Sequence, residues 1–409
     1  MTFKIDPDAA GFDAARLGRI DEHLRTRYID PGKITGCQVL VSRRGQVAHH
    51  ATLGLADRER SAPVADDTIW RLYSMTKPIT GVALLTLYER ALFALSDPVH
   101  RFIPEFRDLK VGVRQDDGSY LPVEPERPMS VRDAMMHMTG IGYGPRDARL
   151  SLAAGPNQPM TRLGPGATLE TLVERLSTQP LRFHPGTRWL YSWSTDVCAR
   201  LVEVLSGRRF GDYLRETIFD PLGMVDTGFS VRDEDVGRFA ANYRRGADKA
   251  LELIDDPFES RYRRPPSFES GGGGLVSTMA DYLRFCHMLV NGGELDGARI
   301  LSRKTVELMR TNHLPGGASL REYALPGGYG EVGFDGMGFG LTVAVSQGPA
   351  PAQAVGSPGE YMWGGAASTI FWIDPVEDIA TIFMTQLMPS GTFNFRGQLR
   401  NLVYGALAD

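Results

Sequence analysis

Hydrophobic and polar positions change their pattern several times along the chain. Within residues 12–28, Leu17, Ile20, Leu24 and Tyr28 recur at helical spacing, which predicts an amphipathic helix closed by Asp30-Pro31-Gly32. Residues 36–55 then alternate, with Val39 and Val41 before Arg43-Arg44-Gly45 and Val47 and His49 after it, the pattern of a β-hairpin. Residues 79–87 are apolar nearly all round, so the helix expected there belongs inside a core rather than on a surface.

Between residues 131 and 228 the pattern becomes helical, broken by Gly/Pro loops at 154–156 and 163–166, with helices expected at 168–176 and 194–205. A further helix is expected at 279–289, ending at Asn291-Gly292-Gly293. The last third returns to strands at 338–345, 365–373 and 379–385. Strands at both ends with helices between them predict an α+β chain of two lobes. In this reading an antiparallel sheet domain is built from residues 1–100 and 265–409. A mostly helical domain spans 101–264, and a small-molecule site lies in the cleft between the two.

Composition narrows the partners. The 409 residues suffice for a large core, and a formal net charge of -4 gives no reason to expect nucleic acid or an anionic membrane. Cys37, Cys198 and Cys286 are far apart and odd in number, against a disulfide framework or a thiolate metal site, so each reads as a small buried hydrophobe. Residues 1–8 lack the basic start and apolar core of a secretory signal, and no apolar run is long enough to cross a bilayer. A cytoplasmic enzyme without metal or other cofactor is therefore expected, with no membrane partner. Nothing in the sequence sets an oligomeric state.

The chemistry centres on Ser74-Met75-Thr76-Lys77, just before the buried helix. A spacing of three residues puts the hydroxyl and the amine on one helix face. Lysine is scarce, and among Lys4, Lys33, Lys77, Lys110, Lys249 and Lys304 only Lys77 has a serine three positions earlier. It is also the only charged residue between Arg71 and Glu89. Burial would lower its pKa and let it act as a base, with Ser74 as the nucleophile.

Other residues are weaker candidates. His137 and His184 sit in turn-like contexts that suit structural imidazoles. No Gly-x-Ser-x-Gly elbow is present, which counts against an α/β-hydrolase. The glycines at 271–274 lack a following Gly-Lys-Ser/Thr and read as backbone passing close to a site. In 189–194, Ser194 is expected to cap the next helix, with Asp196 in its first turn. Beside a Ser/Lys pair, Tyr191 becomes a candidate base for Ser74, its phenol pKa of ~10 expected to fall beside the Lys77 charge.

Taken together, these residues resemble the serine β-lactamases of the Tyr-containing class, the penicillin-binding proteins and, above all, the family VIII carboxylesterases, over about residues 21–402. Ser74 to Lys77 is similar to the first motif of that superfamily. Tyr191-Ser192-Trp193 is similar to its Tyr-x-Asn motif with the third residue changed. Trp363-Gly364-Gly365-Ala366 resembles the third motif on the edge strand, where β-lactamases carry Lys-Thr-Gly. Residues 137–140 and 272–278 also resemble the family.

The resemblance implies a β-lactamase/transpeptidase-like fold. It makes Ser74 the acylated nucleophile, gives Lys77 and Tyr191 the acid/base work, and assigns the oxyanion hole to the N–H groups of Ser74 and Ala366. Tyr143, Trp193, Trp363, Gly364 and Gly365 are implied substrate-binding positions. Trp363 replaces a lysine that holds the β-lactam carboxylate, and Trp193 replaces an asparagine that contacts its amide. Both departures favour an uncharged ester of short acyl chain over a β-lactam. The alternatives from this reading are a β-lactamase or D-amino-acid peptidase, an acyltransferase, and a non-catalytic penicillin-recognising sensor. The loops expected to shape the pocket, at 146–162 and 315–331, carry no recognisable code.

Overall fold

The hairpin expected at 36–55 is formed by β1 (Gly36–Arg43) and β2 (Gln46–Asp57), turned through Arg44 and Gly45 at φ of 53° and 73°. The structure is a computed structural model that describes residues 3–143, 164, 166–326 and 328–409, so the loop expected at 146–162 lies outside the described residues. Two short strands follow, β3 (Ala62–Pro63) and β4 (Ile69–Arg71), the second paired with β5 (Val276–Thr278). In the last third lie β6 (Met337–Phe339), β7 (Ala344–Ser346), β8 (Tyr361–Gly364), β9 (Ile370–Asp374) and β10 (Ile379–Thr385). The main sheet runs β6-β7-β8-β9-β10-β1-β2-β3 and is antiparallel throughout. Val39 of β1 lies opposite Phe383 of β10, so both ends of the chain share one sheet, as the pattern predicts.

The apolar stretch after Ser74 is α1 (Thr76–Glu89), whose residues 76–87 are all buried. It packs against α2 (Ser194–Ser206), while α3 (Met279–Val290) lies on β10 and α4 (Phe395–Tyr404) packs near the N-terminal helices. The helix predicted at 12–28 is broken into Ala14–Leu17, Arg19–Leu24 and a wider turn at Arg25–Ile29, with Gly18 at the first break. Residues 101–264 hold helices and also two hairpins, Val111–Arg114 with Tyr120–Val123 and Asn242–Arg245 with Leu251–Asp255. All three cysteines are free and buried.

Two strand expectations change. Residues 338–345 are not one strand but two, β6 and β7, because Gly340 N–H donates to Val343 O at 2.8 Å and closes a turn between them. Residues 365–373 begin as a turn, closed by Gly365 N–H to Thr369 O at 2.8 Å, and become a strand only at Ile370. In both places a run of small and apolar residues carries a turn with a non-glycine residue in the left-handed region, Thr342 at φ 69° and Ser368 at φ 67°, which alternation alone does not reveal. Nor is β8 the edge strand, since β7 flanks it. Yet β7 pairs only with Tyr361 and Met362, which leaves Trp363 and Gly364 unpaired on that side.

Candidate active site

Ser74 sits in a tight turn, Tyr73–Met75, that joins β4 to α1 and leaves the serine 9% exposed at the head of a buried helix. The turn depends on Tyr73, a bulky residue held at φ 45°, a region such residues avoid. Asn242 Nδ2 donates to the Tyr73 hydroxyl at 2.8 Å and helps hold that conformation. From the other side, Leu72 N–H donates to Leu275 O at 2.9 Å and Leu275 N–H to Thr76 Oγ1 at 3.1 Å, which ties the glycine run to the same turn.

Lys77 lies one turn further and is fully buried. Its Nζ donates to Ser74 Oγ at 3.2 Å and to Gly272 O at 2.5 Å. Burial lowers its pKa to about 8, against the opposing pull of Asp196 and Glu331. The glycines at 271–274 thus bring backbone to the lysine, as the sequence suggests. A Cβ at Gly272 would meet Asp196 Oδ2 at 2.4 Å, and one at Gly271 would meet the Ala199 Cβ at 2.6 Å. Asp196 Oδ1 accepts from Ser270 Oγ at 2.6 Å and from Gly272 N–H at 3.1 Å, which orients the peptide whose carbonyl holds Lys77.

Tyr191 completes the group. Its ring lies 4.5 Å from Lys77 Nζ, and Trp363 Nε1 donates to its hydroxyl at 3.3 Å. One expectation fails here. Burial, reinforced by Tyr143 and Glu331, raises the phenol pKa well above its ordinary value, so the lysine charge does not lower it and the hydroxyl keeps its proton. Of the two buried groups, only Lys77 has a pKa moved into the working range of an enzyme base.

The remaining predicted residues divide by position. Tyr143, 37% exposed, packs edge-on to Tyr191 and Trp193 with centroids 5.6 and 5.2 Å apart, and Trp193 continues to Phe268 at 6.2 Å. These rings form an apolar flank. Trp363 has no exposed surface, being enclosed by Tyr191 and Phe339 at 5.4 and 5.5 Å, so it supports Tyr191 from behind instead of walling the site. Gly364 and Gly365 are buried at the end of β8, just before Ala366. Ser194 is the first residue of α2 rather than its cap, because its hydroxyl bonds with those of Thr139 and Ser192, each at 2.8 Å. His137 is fully buried, with a pKa well below its ordinary value because of burial and then Lys77, and His184 Nδ1 accepts from Glu126 N–H at 3.1 Å. Both are structural in this arrangement.

Gly365 shows how closely the third motif approaches Ser74. A Cβ there would stand 2.2 Å from Leu72 O and 2.3 Å from Thr369 Oγ1. Neither neighbour is free to yield, since Leu72 O accepts from Met75 N–H at 3.1 Å and from Thr369 Oγ1 at 3.3 Å. Gly365→Ala is therefore expected to displace the Gly365-Ala366 peptide. If the Ala366 N–H is the oxyanion donor that the family resemblance implies, the acylation rate should fall about 10²- to 10³-fold, the cost of one such donor, as read by stopped-flow with a chromogenic ester.

Residues 22–404 match the Beta-lactamase family model, and the chain belongs to that family. Within it, the chain groups with serine esterases, as its family VIII carboxylesterase motifs imply. It is 29% identical to Esterase EstB of Burkholderia gladioli over 414 residues, covering 95% of each chain. It is 33% identical to Protein Rv1367c of Mycobacterium tuberculosis over 365 residues, 88% of each. Among solved structures it superposes on EstCE1, described as a hydrolase with promiscuous acyltransferase activity, with a TM-score of 0.77 and 28% identity, covering 96% of this chain and 99% of that one. These relatives support serine esterase activity. No helix among the described residues is long and apolar enough to cross a membrane.

Sequence reasoning missed Glu331, Tyr329 and Arg396. Tyr329 packs on Tyr191 at 6.0 Å, and Glu331 lies close enough to act electrostatically on Lys77 and Tyr191. Arg396 donates to Glu331 O at 2.7 Å and to Trp363 O at 2.8 Å. The available signal was a lone acidic residue and an aromatic one within Gly328-Tyr329-Gly330-Glu331-Val332-Gly333, where small residues let the backbone approach closely.

Proposed function

We propose that this protein cleaves carboxylic esters of short acyl chain through an acyl-enzyme on Ser74. The observation that carries the reading is the buried Lys77 amine, 3.2 Å from Ser74 Oγ with a pKa lowered to about 8. In its neutral form Lys77 accepts the Ser74 proton as Oγ attacks the acyl carbon. The oxyanion is held by the N–H groups of Ser74 and Ala366. Tyr191 keeps its proton, receives a hydrogen bond from Trp363, and is free to donate to the departing alkoxide; Lys77 replaces that proton. The C–O bond to the alcohol breaks, the alcohol leaves protonated, and water attacks the acyl-enzyme by the reverse proton route. In this scheme the site occupies the cleft between a sheet domain of residues 1–100 and 265–409 and the domain of residues 101–264.

Esters are preferred to β-lactams because tryptophans stand at 193 and 363, where the resemblance places the polar anchors of a β-lactam. Acyl transfer to an alcohol is the second reading, favoured by the likeness to EstCE1. A fluorophosphonate is the direct test. Stoichiometric labelling of the Ser74 peptide with parallel loss of p-nitrophenyl butyrate hydrolysis is the expected result. Labelling at another serine, or hydrolysis that survives full labelling of Ser74, would overturn the reading.

A further inference from the structure

Two helices converge on Gly272, the residue whose carbonyl receives Lys77 Nζ. From α1, Thr80 Oγ1 donates to Gly271 O at 2.8 Å and Thr76 Oγ1 accepts from Leu275 N–H at 3.1 Å, so this helix grips the glycine run on either side of Gly272. Asp196, in the first turn of α2, grips it from the neighbouring helix. Its Oδ1 accepts from Gly272 N–H at 3.1 Å and from Ser270 Oγ at 2.6 Å. A continuous chain of contacts therefore runs from α2 to the nucleophile: Asp196, Gly272, Lys77, Ser74.

That grip needs only one oxygen, and a neutral asparagine could supply it. Asp196 has no exposed surface, and its Oδ2 has no hydrogen-bond partner among the described residues. A buried carboxylate oxygen without a donor is unfavourable, so its presence calls for a role that a hydrogen bond does not fill. What the second oxygen adds is negative charge beside a buried amine. Burial raises the Asp196 pKa, opposed by Ser270 and Lys77, and burial lowers that of Lys77, opposed first by Asp196 and then by Glu331. The N-terminus of α2 also favours the ionised carboxylate.

The other titratable groups around the amine are Glu331, the buried His137, and the rings of Tyr191 and Tyr143 at 4.5 and 5.9 Å from Nζ. Of all these, Asp196 alone is bonded to Gly272. We propose that Asp196 is a positioning residue of the reaction: it fixes the Gly272 carbonyl that aims Lys77 at Ser74, and it supplies the counter-charge for the ammonium formed as Lys77 takes the serine proton. It acts through Lys77 and touches no reacting atom. The proposal rests on the esterase reading and adds the group that sets its working pH.

The test is the pH profile of kcat/KM for p-nitrophenyl butyrate in Asp196→Asn, Asp196→Ala and Ser270→Ala. Asparagine keeps an acceptor for Gly272 and removes the charge. Its acidic limb is expected to move about one pH unit to lower pH, and its plateau to fall about tenfold, because the ammonium formed in acylation has lost its counter-charge. Alanine removes charge and grip together, so the limb should move the same way while the plateau falls about 10²-fold. Ser270→Ala leaves the charge in place and should leave the limb at its wild-type position. Either Asp196 variant suffices if the other does not fold. A lowered plateau with an unmoved limb in a folded Asp196 variant would mark a purely structural residue and overturn the proposal, as would a limb that moves as far in Ser270→Ala as in Asp196→Asn. A wild type that acylates Ser74 at no pH would instead remove the esterase reading itself; a normal wild-type profile with an unmoved limb in the variants would remove only the role of Asp196.

Discussion

A Ser74→Ala variant is expected to lose ester hydrolysis by about 10⁴- to 10⁶-fold in kcat, the scale seen when a serine nucleophile is removed. The loss should be this large because the rest of the site is arranged around Oγ. Lys77 Nζ donates to it at 3.2 Å, and the Tyr191 ring packs beside that amine at 4.5 Å. The variant should fold normally. Ser74 is 9% exposed, so exchange for alanine removes a hydroxyl at the mouth of α1 and opens no large void. Steady-state turnover of p-nitrophenyl butyrate together with a melting curve checks both halves; appreciable turnover in a well-folded variant would show that another group carries the acyl chain.

The Lys77→Met variant is expected to lose about 10²- to 10⁴-fold in kcat/KM, the contribution of a general base, and yet to be more stable than the wild type. The sign follows from the lysine's pKa. Burial lowers it from 10.5 to about 8, so the unfolded chain binds the proton more tightly than the native one. At neutral pH this costs the folded state about 3 kcal/mol. Methionine removes that cost and gives up the hydrogen bond to Gly272 O, worth about 1 kcal/mol, so a net gain of about 2 kcal/mol is expected at pH 7. Because the folded pKa is depressed, the wild type gains stability as pH rises from about 8 towards 10.5, and the advantage of the variant should shrink across that window. Activity depends on the same proton. The wild-type kcat/KM should rise with pH and level off above about 8, as the amine becomes neutral. Denaturant melts at pH 7 and pH 9.5 and a pH–rate profile measure the two effects separately. A variant less stable than the wild type at pH 7 would argue that the amine is held uncharged by something other than burial.

Lys77 also shows how much of the site could be read early. A lone lysine before a long apolar run predicts an amine forced into a core, and the fully buried α1 is the consequence. The alternation in β1 and β2 and the apolar run of β10 likewise mark a sheet made from both ends of the chain. Both signals are local periodicities, which survive in one dimension. The glycines at 271–274 mark a close approach for the same local reason, since a Cβ at Gly272 would collide with Asp196.

Other features depend on what surrounds a residue in three dimensions. Tyr191 was expected to have a lowered pKa beside a positive charge, but full burial outweighs it, and burial is set by the rings of Trp189, Tyr143 and Trp363 packed around it. Trp363 was expected to face the substrate, yet Phe339 from β6, two strands away in the sheet, covers it. Glu331 and Arg396 come to the site only through folding, because the residues they meet lie far away in the chain: Ser390 for one and Trp363 for the other.

By itself the sequence determined the Ser74 and Lys77 pair and the two-ended sheet, and it singled out Tyr191 as their expected companion. The pair and the strands are carried by spacing and periodicity within a few residues, Tyr191 by the likeness of residues 191–193 to a family motif. Only the tertiary structure decided that the pKa of Lys77 falls while that of Tyr191 rises, and that Trp363 is covered. Those properties come from desolvation and from charges meeting across the fold, and neither is encoded in any single stretch of chain.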